Sequence, residues 1–109
     1  MLFARAMGFA RAPELADAGQ AQRIAAEALH DFRPVEAALS GDRRGALVAA
    51  TDGRVALVRP FGDRWVVRIV NGAAATVDGG TLRLQVAEAM FPPALLDLGP
   101  AATGWARRL

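Results

Sequence analysis

The stretch "TDGRVALVRPFGDRWVVRIVNGAAATVDGGTLRLQV", residues 51–86, decides the fold. β-branched and aromatic residues alternate there with polar ones, and glycine-bearing turn pairs break the run every few residues, which is the pattern of short antiparallel strands. Asp52-Gly53 fits a two-residue hairpin turn, because such turns need positive φ. Register then sets the faces, since a slip of one residue moves every side chain to the opposite side. Keeping apolar residues together selects a three-residue Pro60-Phe61-Gly62 loop, with Arg59 facing Asp63 and Leu57 facing Trp65. A four-residue loop would instead oppose Arg59 and Arg64. The same criterion selects a one-residue bulge at Asn71-Gly72, pairing Val67 with Val77. A tight Gly79-Gly80 turn then sets Val77 opposite Leu82 and Ala75 opposite Leu84.

That register collects Val48, Val55, Leu57, Trp65, Val67, Ile69, Val77, Leu82, Leu84 and Val86 on a core face. The outer face holds Arg54, Arg64, Arg68 and Arg83 with Thr76, Asp78, Thr81 and Gln85, and also Leu47, Val58 and Val66. Leu47, Val58 and Val66 do not suit a purely solvated surface. They are expected to form an interface, covered by the first helix, the N-terminal arm or a second subunit. A face mixing arginines with apolar residues is how a protein–protein contact looks. Arginine also presents a planar fork of donors for phosphate or carboxylate, so Arg64, Arg68 and Arg83 are candidate anion ligands.

Upstream, residues 13–32 read as a helix, with Pro13 at its first position, Glu14 and Asp17 at its positive end and Pro34 forcing a stop. Leu15, Ala18, Gln22, Ala25, Leu29 and Phe32 fall near one stripe, flanked by Ile24 and Ala28. The stripe is alanine-rich, so its partner must approach closely. Residues 35–40 are ambiguous between strand and helix, and "SGDRRG" (40–45) is a loop in which Arg43 and Arg44 could form an anion-binding nest. Downstream, residues 94–98 suit a further strand, and Gly99-Pro100 begins a last helix, 100–108, anchored by Trp105. Between them "AEAMFPP" is a connection with room for a helical turn.

A chain of 109 residues forms one domain burying roughly two-thirds of its unfolded surface. Residues 1–12 form an arm ahead of the single domain, 13–109. Hydrophobic content of 53% with 22% charged residues is that of a folded domain. The sequence pI near 10.9 overstates the basicity. Without lysine, tyrosine or cysteine almost nothing titrates above His30, and the net charge is only +2. Nucleic-acid backbone binders concentrate many more positive charges, so composition argues against such a partner. Arg5 and Arg11 interrupt the apolar opening, leaving no signal-peptide core, and no run reaches the ~20 apolar residues of a membrane span. A cytoplasmic setting is the default expectation.

Catalysis needs a reactive group held beside one that assists it. His30 is the one histidine, with Glu27 a turn earlier, but the second half of a di-metal helix motif is missing. Ser40 sits in "LSGD", not in a nucleophile elbow, and the strand threonines are β-formers on a wet face. No phosphate-loop or dinucleotide pattern occurs. No catalytic residue, metal ligand or cofactor is therefore assigned.

The strand segments 35–40, 46–51, 54–59, 64–70, 73–78, 81–86 and 94–98, followed by a helix bearing Trp105, resemble the order of a pleckstrin-homology-like domain over residues 35–109. That resemblance implies a bent antiparallel sheet capped by the helix, and an anion site at the first strand–strand loop, here Arg43 and Arg44. The chain departs from it in lacking the spaced basic motif of lipid-binding members, in having no lysine and in carrying an extra first helix. A competing architecture is an α+β roll with helix 13–32 in the concave side of the meander. Either way the expected class is α+β: an antiparallel meander of five to seven short strands, bent or rolled, packed on an N-terminal and a short C-terminal helix. The expected function is a non-catalytic interaction or assembly module, binding itself or another protein. The alternative is a binder of a small anionic ligand or lipid headgroup.

Overall fold

The computed structural model describes residues 13–86 and 91–109. The arm 1–12 and part of the 87–93 connection lie outside these residues. Helix α1 (Ala18–Ala28) is followed by seven strands, β1 (Pro34–Leu39), β2 (Ala46–Ala50), β3 (Val55–Phe61), β4 (Arg64–Ile69), β5 (Ala74–Asp78), β6 (Thr81–Gln85) and β7 (Ala94–Asp97). A 3-10 turn (Gly99–Ala101) leads into the short helix α2 (Ala102–Ala106). The fold is α+β. The strands form two antiparallel meanders, β1-β2-β3-β4 and β5-β6-β7.

Helix α1 is shorter than the 13–32 expected. Asp17 stops it at the front as N-cap: its backbone is extended and its carboxylate accepts the Gln20 N–H at 2.8 Å. The Gln20 side chain accepts the Ala16 N–H in return, at 2.6 Å. Ahead of the cap, Leu15 donates its N–H to the Arg43 carbonyl at 2.7 Å, which holds this segment against the 40–45 loop instead of in a helix. At the other end Leu29 is extended and Asp31 is left-handed, so the helix ends well before Pro34. The Arg54 guanidinium then donates to the freed carbonyls of His30 and Asp31 and lies 5.3 Å over the Phe32 ring.

Three turns depart from the sequence expectation. Ala49 pairs with Val55 and Ala50 N–H reaches the Arg54 carbonyl, so the first hairpin has a three-residue Thr51-Asp52-Gly53 loop with Gly53 at φ 90°. The second is a two-residue Gly62-Asp63 turn, with Phe61 opposite Arg64 and Leu57 opposite Arg68. Arg59 faces Val66, not Asp63. The third, at Asn71-Gly72, makes no hairpin: it carries the chain from one sheet to the other, and Val67 and Val77 are not partners. The Gly79-Gly80 turn is as expected, with Val77 opposite Leu82 and Ala75 opposite Leu84.

The physical reason is that the central strands of the four-stranded sheet, β2 and most of β3, are buried on both faces. On one face Ala46, Val48, Ala50, Ala56, Val58 and Val67 meet Leu15, Ala21, Ala25 and Phe32 of the α1 region. On the other, Leu47, Ala49, Val55 and Leu57 meet Leu82, Leu84 and Leu96 of the second sheet, with Ala102 and Trp105 of α2. The layers run helix, sheet, sheet, and α1 lies outside the stacked sheets instead of in the concave side of a roll. Buried alanines at Ala21, Ala25, Ala46 and Ala56 let helix and sheet approach closely. Both faces of β2 are therefore apolar, and all five of its residues are buried.

Candidate functional site

The arginines singled out in the sequence do not share a face. Arg43 is left-handed (φ 61°) and its guanidinium donates to the Ala16 carbonyl at 2.8 Å. Arg44 stands 3.7 Å from Glu14, and its N–H bonds the Asp42 carboxylate at 2.9 Å. Both tie the 40–45 loop to the approach to α1. Arg54 is engaged at its own turn, where its N–H above all, helped by its guanidinium at 2.7 Å, holds the Asp52 carboxyl below the ordinary carboxylate value against the opposing desolvation.

Arg64 and Arg68 are on the side of the first sheet that faces the second, because the two-residue Gly62-Asp63 turn puts them in line with Phe61 and Leu57. Beyond the shared core, Phe91 covers this end. Arg59 and Arg68 lie 5.1 and 5.2 Å over its ring, and Phe61 meets it edge-on at 5.5 Å. Arg59 also donates to the Pro92 carbonyl at 2.7 Å. Phe91 is a contact residue the sequence reading missed; "FPP" at 91–93 was its one signal.

Of the three apolar interface candidates, Leu47 and Val58 are each 0% exposed, on opposite faces of the sheet. Both are covered from within the chain, so the expected common patch does not exist. The half-buried Val66 lies opposite Arg59.

Arg83 is different. It sits on the outer face of the second sheet, opposite Thr76 on β5 and Leu95 on β7, and has no side-chain partner among the described residues. Beside it is an open depression of about 210 Å³, lined by Ala74, Ala75, Thr76, Arg83 and Gln85. The depression exists because β5 carries short side chains where β6 carries long ones.

Among the described residues, this depression borders the least guarded of the sheet edges. Edge strands are normally blunted by proline, bulges, positive charge or covering segments. β1 has Pro34, a register shift before Glu36 and α1 alongside. β4 carries Arg64 and Arg68. β7 has four residues, and its Asp97 is bonded through N–H to Ser40 Oγ and through C=O to the Gly41 N–H. β5, "AATVD", has no proline, bulge or basic residue: its one charge is the terminal Asp78, and although α2 packs against the strand, Ala74, Thr76, Val77 and Asp78 are exposed.

His30 and Glu27 are both exposed, and no group of three or more His, Asp or Glu residues able to hold a metal occurs among the described residues. No helix among them is long and apolar enough to cross a membrane. No protein-family model matches the chain, and no curated protein or solved structure was found to be similar to it.

Proposed function

We propose that this chain is a non-catalytic interaction and assembly module that accepts an extended strand along the open edge of β5. The observation that carries this reading is the edge itself. Asp78 and Thr81 flank the two-residue Gly79-Gly80 turn and form the hydrogen-bonded pair that closes it. Alternation along the ladder then turns the N–H and C=O groups of Ala75 and Val77 away from β6, toward water. An incoming antiparallel strand would pair with these groups. Its side chains would alternate between the depression beside Arg83 and the partly exposed Val77.

The order of four strands, three strands and a helix bearing Trp105 supports a pleckstrin-homology-like reading of the architecture. That likeness concerns fold and carries no function.

The test is selection of peptides from a random display library on the intact chain, followed by binding to Val77→Pro and Val77→Lys variants whose folding is checked by circular dichroism. Proline removes one outward donor and is tolerated on an edge. Binders of alternating, extended character that lose at least tenfold in affinity to both variants are expected. Failure to find such binders, or binding indifferent to both substitutions, overturns the reading.

A further inference from the structure

We infer that the strand docked on β5 is β5 of a second copy, running antiparallel with Thr76 facing Thr76 across a two-fold axis. This rests on the strand-docking reading above and names its partner.

The register follows from the backbone. Only Ala75 and Val77 direct hydrogen-bonding groups outward, so they must face one another across the new ladder. With Thr76 on the axis, Ala75 meets Val77 of the partner subunit, and all five residues of Ala74–Asp78 are paired. Any other symmetric register leaves part of the strand unpaired. The match makes two hydrogen-bonded residue pairs and joins the two three-stranded sheets into one. A two-fold contact uses the same patch twice, so the patch must complement itself. β5 does: no bulky or like-charged residues meet, since Ala74 receives the partner's Asp78 and the two Asp78 side chains lie at opposite ends of the ladder.

Charge selects this occupant. Asp78 and Arg83 each lack a side-chain partner among the described residues, although they are diagonal neighbours on β5 and β6. In the two-fold pair the partner's Asp78 stands beside Ala74, on the outer face that carries Arg83 and Gln85. Two strand spacings and a two-residue offset separate the α-carbons of Arg83 and the partner's Asp78 by about 12 Å, within the joint reach of both side chains. The path between them crosses Ala74 and Thr76, the floor of the depression. The two-fold makes this ion pair twice. Two five-residue strands form a small interface, so the dimer is concentration-dependent.

The experiment is sedimentation and light scattering of the full chain from about 10 µM to 1 mM, the range in which such contacts form. Expected is a rise from monomer to dimer mass, abolished by Val77→Pro. Asp78→Arg and Arg83→Asp alone should each weaken the dimer about tenfold, and the double exchange should restore it. A chain that stays monomeric to 1 mM, a dimer indifferent to Val77→Pro, or a double exchange without rescue overturns the inference. A monomer that still binds display-selected peptides in a Val77-dependent way keeps the strand-docking reading and assigns the partner to another protein. Loss of both fails the reading itself.

Discussion

The hydroxyl of Ser40 accepts a 3.0 Å hydrogen bond from the backbone N–H of Asp97, across the two sheets of the sandwich. Ser40 is 3% exposed, the one buried polar residue among the described ones, and the adjacent Gly41 N–H donates to the Asp97 carbonyl at 2.9 Å. The pair fixes β7 to the β1–β2 connection. Ser40→Ala leaves the Asp97 N–H without its partner and should destabilise the fold by about 1–2 kcal/mol in urea titrations, with an unchanged m-value. A loss well under that range would show that water replaces the hydroxyl.

Gly80 is required by space. A Cβ there would meet the Gly99 Cα at 2.7 Å and its N at 3.0 Å, both backbone atoms. The two segments cannot part easily, because the Gly80 carbonyl accepts from the N–H groups of Leu98 and Gly99 at 2.9 and 3.0 Å. Gly80→Ala should cost about 2–3 kcal/mol in the same titration. Gly45→Ala meets the Leu96 Cδ2 at 2.7 Å, the tip of a side chain that can rotate, and should cost less.

Asn71 holds the crossing between the sheets. Its Oδ1 accepts the N–H of Val55 at 2.7 Å, and its Nδ2 donates to the carbonyls of Gly53 at 3.2 Å and Arg108 at 3.3 Å. Val55 is 1% exposed, so Asn71→Ala strands a donor away from water and should destabilise by about 1–3 kcal/mol. Asn71→Asp keeps the acceptor and loses the donors, so a smaller loss is expected at neutral pH. Equal losses would place the main contribution in the donor bonds.

The Asp52 carboxyl is held below its ordinary value of 3.8 by the Arg54 N–H and guanidinium. A depressed folded-state pKa contributes stability that is fully present above the unfolded value and is lost as pH falls through the folded one. Asp52→Asn should therefore lower thermal stability at pH 6, by a modest amount because the group is exposed, and the gap to wild type should narrow below about pH 4. A gap constant from pH 6 to pH 2 would contradict the assignment.

The strands were legible because their turn residues are local. All seven expected strand segments are strands, and even the ambiguous 35–40 segment forms β1, Pro34–Leu39. A helix with Trp105 also forms within the expected 100–108, though only over Ala102–Ala106, and Arg108 just beyond it reaches Glu36 at 2.7 Å and lies 4.4 Å over the Trp105 ring. The faces were not legible. Sorting apolar from polar residues selects a register only when one face is wet, and here Val48 and Leu47 are both buried, on opposite faces. The criterion consequently assigned the Gly62-Asp63 hairpin a three-residue loop in place of two, while at Asp52-Gly53 the Asp-Gly pair itself suggested two residues where the loop has three. It also put Leu47 and Val58 on one face, where they lie on opposite ones, and made a single cluster of arginines that belong to separate places.

Local chemistry in the chain determined where strands begin and end and the α+β class, because turn and cap preferences act over a few residues. Tertiary structure alone decided that the meander divides after β4 and that both faces of the central strands β2 and β3 are covered. It also decided that, among the described residues, β5 is the least guarded edge while Ser40, proline and arginine guard the others. Those outcomes depend on contacts between residues far apart in the chain, such as Ser40 with Asp97, and no periodicity within a single strand encodes them.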